Sequence, residues 1–151
     1  SMSPTFEENN FIIVDKISPR FLPWERGDVI VFVPPGKTIP FIKRVVGLPG
    51  ETVKIADGKV SVCIANSCQI LPESYLPEWL QTKTTLCWIS EFTVTTGWLF
   101  VMGDNRGYST DSRCCFGLWC YETTSYLVPY DNIIGKVYMR LFPISKFSVY
   151  Y

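Results

Sequence analysis

A mostly β protein is the fold class this sequence predicts: a sandwich or a partly open barrel with a small inserted lobe. Two patterns predict it. Short runs rich in Val, Ile and aromatic residues recur along the chain, and turns containing Pro or Gly separate them. No apolar repeat at helical spacing is sustained over three turns. Composition agrees with one domain, because 47% hydrophobic residues in 151 can bury a core of that size.

In chain order the expected strands are 11–14, 29–33, 41–46, 52–55, 59–62, 98–102 and 134–141. Pro34-Pro35-Gly36 and Pro49-Gly50 break the chain between them. Asp57-Gly58, between Ile55 and Lys59, is a two-residue hairpin signal. The stretch 59–97 differs in character, being rich in Thr, Ser, Pro and Cys. It is expected to form the inserted lobe, with 1–58 and 98–151 as the two halves of the core. A second irregular stretch runs over 114–127.

The chain carries 14 basic and 14 acidic residues and no histidine. Without histidine there is no Ser-His-Asp or Cys-His triad and no HExxH zinc site. A hydrolytic base must then be Lys, Asp, Glu, Tyr or a terminus. Zero net charge argues against a nucleic-acid partner. No run approaches the roughly 18–20 apolar residues of a membrane span, and no export leader is expected. No cofactor or metal is expected either.

Six cysteines allow 15 full pairings. Cys63 and Cys68 enclose four residues and suit a small disulfide loop, the alternative being two reduced buried thiols. Cys87, Cys114, Cys115 and Cys120 lack the paired spacing of a zinc site. Disulfides would place the chain outside the cytosol.

Three segments stand out: Ser1-Met2-Ser3-Pro4-Thr5, Lys43-Arg44-Val45-Val46-Gly47-Leu48-Pro49-Gly50-Glu51, and Gly103-Asp104-Asn105-Arg106-Gly107-Tyr108-Ser109-Thr110-Asp111-Ser112-Arg113. Arg26-Gly27-Asp28, read as a turn entering a strand, lies between the first two. In this order the segments resemble the type I signal peptidases of bacteria and organelles. The first residue already lies inside a motif, so the sequence reads as starting within a longer protein.

The resemblance implies a signal-peptidase-like antiparallel β-sheet core and a serine–lysine dyad. Ser1 would be the nucleophile and Lys43 the general base. Ser109 would help hold the lysine, and Asp111, Arg113, Asp104, Arg106 and Arg44 would brace the site. Met2, Phe41 and Ile42 are expected, from their positions, to wall the substrate pockets. Cleavage of signal peptides from exported preproteins, after Ala-x-Ala, is the implied activity. The implied setting is the outer face of a membrane, reached through an upstream span. Phe21-Leu22-Pro23-Trp24 and Phe142-Pro143-Ile144 are candidate interfacial surfaces, ordinary core packing being the alternative. The family's oxyanion donors are the nucleophile's backbone N–H and a hydroxyl just upstream of it.

Residue chemistry supports the dyad independently. A serine hydroxyl is a poor nucleophile until a base takes its proton, and with no histidine a neutral lysine is the natural substitute. Burial among apolar groups favours the neutral form, and lowering the lysine from about 10.4 to about 8 takes roughly 3 kcal/mol. Lys43 sits between Phe41-Ile42 and Val45-Val46, inside an expected core strand. An edge-strand lysine that blocks aggregation is the other reading. Asp111 and Arg113 could equally form an exposed ion pair worth little. After Arg113 many relatives continue directly with an aromatic and a glycine. Here Cys114-Cys115-Phe116-Gly117 and about ten further residues intervene, with a second disulfide expected to Cys87 or within the insert. Two other functions fit the same chemistry: a self-cleaving repressor with the same dyad, and a non-catalytic, disulfide-stapled peptide-binding module.

Overall fold

The computed structural model describes residues 1–84, 89–120 and 126–150. Eleven strands are found among them: β1 (Phe11–Asp15), β2 (Val29–Phe32), β3 (Phe41–Gly47), β4 (Thr52–Ala56), β5 (Lys59–Ile64), β6 (Ser67–Ile70), β7 (Glu91–Thr93), β8 (Trp98–Met102), β9 (Val128–Pro129), β10 (Ile133–Phe142) and β11 (Ser148–Val149). Helical residues are confined to short 3-10 turns, and no described helix is long and apolar enough to cross a membrane.

Two antiparallel sheets form. The larger has strand order β1-β10-β2-β3-β8-β9, with β11 also paired to β10; the smaller has order β6-β5-β4-β7. Every expected strand is present. The hairpin at Asp57-Gly58 is also present, with both turn residues at positive φ, as a tight two-residue connection requires. The expected boundary between core and lobe at 58/59 falls inside this hairpin, and the smaller sheet takes β4 from before it. Four strands escape sequence reading for a physical reason, among them the two-residue β11. β6 is exposed at all four positions and so has no alternating pattern; β7 and β9 are three and two residues long. Cys63 and Cys68 face each other across β5 and β6 and are disulfide-bonded, which ties this exposed strand to the sheet.

β3 and β8 are buried on both faces, which explains their continuous apolar runs. One face packs Val45, Val101 and Leu99 with Ile30, Phe32 and Phe116. The other packs Val46, Phe100 and Met102 against Val53, Val60, Val62 and Phe92 of the smaller sheet. Residues 25–28 form the expected turn before β2.

Beyond Arg113 the chain kinks, with Cys115 and Phe116 both in the left-handed region. Such positions cost a non-glycine residue on the order of 1 kcal/mol or more. Burial offsets that strain, because Phe116 enters one core cluster and Cys115 the other. The second disulfide joins Cys115 to Cys120, within the insert. Cys114 is a free thiol, and Cys87 lies outside the described residues.

Candidate active site

β3 carries two adjacent cations into the interior, and strand alternation sends them to opposite faces. Lys43 is 2% exposed, and its Nζ lies 2.8 Å from Ser1 Oγ. Nζ also donates to the Ile42 carbonyl at 2.9 Å. Its remaining surroundings include the Phe41 ring, 5.2 Å away at the centroid. Burial lowers the lysine from 10.5 to about 8, against the opposing pull of Asp111, Asp104 and Cys114. Lys43 forms no ion pair among the described residues.

Arg44 is treated differently. Its Nε and Nη2 donate to Asp104 at 2.9 and 2.6 Å in a bidentate pair, and its Nη1 donates to the Gly27 carbonyl. The Tyr75 ring lies 4.0 Å from its guanidinium carbon. Asp104 also accepts from the Thr5 hydroxyl at 2.5 Å, tying the segment after Ser1 to the same carboxylate.

The 103–113 loop is held by two more arginines. Asp111 is fully buried; it accepts from the backbone N–H groups of Gly103 and Arg113, and from Nε and Nη2 of Arg113 at 2.9 and 2.8 Å. This is a buried pair, not the exposed one considered from sequence. Arg106 donates to the Gly103 carbonyl, to both oxygens of Glu73, to Thr82 Oγ1 and to the Tyr75 hydroxyl.

Gly103 is required by space: a Cβ there would lie 2.0 Å from Ser109 Oγ and 2.5 Å from the Ser1 carbonyl oxygen. Ser109 is thus pressed against the floor of the site. Its Oγ is buried and makes no hydrogen bond, to Lys43 or to any other described residue.

A cavity of about 300 Å³ opens on the dyad, lined by Ser1, Pro40, Phe41, Ile42, Lys43, Tyr108 and Thr110. Phe41 and Ile42 are both among these lining residues. Met2 is not among the lining residues and is buried in a cluster with Phe6, Val29 and Val137. Pro40, Tyr108 and Thr110 were not singled out from sequence. Nor were Glu73, Tyr75 and Thr82, whose partners lie 24 to 33 residues away and leave no local signal.

The chain matches the family described as signal peptidase, peptidase S26, over residues 1–142. It belongs to that family. Signal peptidase I of Leptolyngbya laminosa is 40% identical over 154 residues, covering 97% of this chain and 66% of that protein. Probable signal peptidase I-1 of Synechocystis is 37% identical, covering 98% of this chain and 70% of its own length. This chain thus spans about two thirds of the length of these relatives. A solved signal peptidase I from Enterococcus faecalis is 27% identical with a TM-score of 0.54, covering 76% of this chain and 97% of that one. The expected family and mostly β fold are both borne out, and the family is one of serine endopeptidases.

Proposed function

We propose that this chain is the catalytic part of a signal peptidase that removes signal peptides from exported preproteins, with Ser1 as nucleophile and Lys43 as general base. The observation that carries this is the 2.8 Å Lys43–Ser1 contact at a lysine whose burial lowers it to about 8. With Lys43 neutral, the same contact lets the serine O–H donate to the Nζ lone pair. Oγ then attacks the scissile carbonyl as its proton passes to Nζ, and the resulting ammonium returns the proton to the departing amine. A water activated by Lys43 releases the acyl group by the same route. We assign Ser109, whose buried hydroxyl makes no hydrogen bond among the described residues, the role of holding Lys43 when substrate is bound. Asp104, Asp111, Arg44, Arg106 and Arg113 hold the loop that frames it.

The substrate binds extended along β3. On the β8 side, β3 is paired only from Arg44 onward, so the edge at Phe41 and Ile42 is free for a substrate strand. A cavity of about 300 Å³ beside it is placed to take substrate side chains before the cut. Work at a membrane surface accords with the exposed Phe21, Leu22, Phe142 and Ile144. We place the catalytic domain on the extracytoplasmic side, in keeping with the two disulfides. The self-cleaving repressor and the non-catalytic module gain no support from the family match.

The test is cleavage of a preprotein by the full-length protein and by its Ser1→Ala and Lys43→Ala variants. Both variants should lose cleavage while keeping the β circular dichroism spectrum. Undiminished cleavage by either variant would overturn the assignment.

A further inference from the structure

A second and larger cavity, of about 840 Å³, adjoins the dyad pocket, and Tyr108 and Thr110 line both. Its volume is in the range of ligand-binding clefts. The cations Lys83, Arg106 and Arg113 line it, and no described carboxylate does. Arg106 and Arg113 are already paired with Glu73 and Asp111. The Lys83 ammonium forms no ion pair among the described residues. Its backbone is nevertheless anchored: the Lys83 carbonyl accepts from Arg113 Nη1 at 3.0 Å, and the preceding Thr82 is held by Gly58 and Arg106. Among the described residues the cavity therefore presents one uncompensated positive charge, on a fixed stretch of backbone.

We propose that this cavity receives the residues on the leaving side of the scissile bond, and that Lys83 selects an acidic side chain there. The proposal rests on the Ser1–Lys43 reading. If the acyl side of the substrate lies along the free edge of β3 at Phe41 and Ile42, the chain beyond the cut points away from that edge. The two cavities share Tyr108, 87% exposed, and Thr110 as lining residues, so the larger cavity is the neighbouring space open to that chain. An acidic side chain entering it meets Lys83 without displacing an existing ion pair.

The experiment compares three peptides of one cleavable sequence, with Asp, Ala or Lys at the second residue after the cut. The protein should give kcat/KM in the order Asp, Ala, Lys, each step about two- to fivefold, the range of a solvent-accessible ion pair. Lys83→Glu should invert the order. The same order in both proteins would overturn the proposal. A binding readout separates it from the dyad assignment. In the inert Ser1→Ala protein, the Asp-containing leaving-side peptide should shift the amide resonances of Lys83, Tyr108 and Thr110. No shift at millimolar peptide, or shifts confined elsewhere, would overturn the proposal. Shifts at those residues together with no cleavage of any of the three peptides by the unmutated full-length protein would support the cavity and count against the dyad.

Discussion

The dyad floor and the loop that frames it lie side by side and handle buried charge in opposite ways. Around the 103–113 loop every buried cation is matched: Arg44 by Asp104, Arg113 by Asp111, Arg106 by Glu73. One residue before Arg44, Lys43 is as deeply buried and has only neutral hydrogen-bond partners. Matched arginines stay charged and lock geometry. An unmatched lysine is pushed toward neutrality and gains a lone pair. A neutral base can persist here because rigid, compensated groups surround it and keep Asp104 and Asp111 engaged with arginines.

The largest effect expected from breaking this contrast is on chemistry. Ser1→Ala or Lys43→Ala should lower kcat of the full-length protein by about 10⁴- to 10⁶-fold, the range for removing a nucleophile or its base, with little loss of thermal stability. Next is the matched side. Asp111→Ala strands the Arg113 guanidinium and the Gly103 N–H in the interior and should destabilise the fold by about 3–5 kcal/mol, read by urea denaturation.

Lys43→Met should do the reverse and stabilise. Lys43 titrates near 8 in the fold and 10.5 in the unfolded chain, so between those values the unfolded chain holds the extra proton and stability rises with pH. Below pH 8 the fold carries the whole cost of a buried ammonium. Lys43→Met should therefore gain about 3 kcal/mol at pH 7, with the gain vanishing as pH approaches 10.5. Unfolding curves at pH 7, 9 and 10.5 check both sign and window. The same titration predicts that kcat/KM climbs as pH rises through about 8. A flat profile from pH 6 to 10 would contradict a lysine base. The smallest effect belongs to the exposed Lys54–Glu91 pair of the smaller sheet. Glu91→Gln should change stability by less than about 0.5 kcal/mol.

The site was unevenly legible. Lys43 announced itself as a lysine, next to Arg44, inside an otherwise apolar run, and the missing histidine directed attention to it. Asp104, Arg106, Asp111 and Arg113 were readable as a motif, but their partners were not. Glu73, Tyr75 and Thr82 come from the irregular stretch before β7, where neither periodicity nor turn chemistry marks a residue that will reach 24 to 33 positions along the chain. Met2 was expected at the pocket from its nearness in sequence to Ser1, and the structure buries it in a cluster with Phe6, Val29 and Val137.

By itself the sequence determined the β class, seven of the eleven described strands and the hairpin at Asp57-Gly58. It also determined that a serine hydrolase built from this chain must find a base other than histidine. These are local properties, set by alternation, turn residues and composition. Only the tertiary structure decided that Ser1 meets Lys43 across 42 residues, that the inserted segment clamps Arg106, and that Cys115 pairs with Cys120. Such meetings depend on strand order and on which face of each sheet is buried, and those emerge only when the whole core packs.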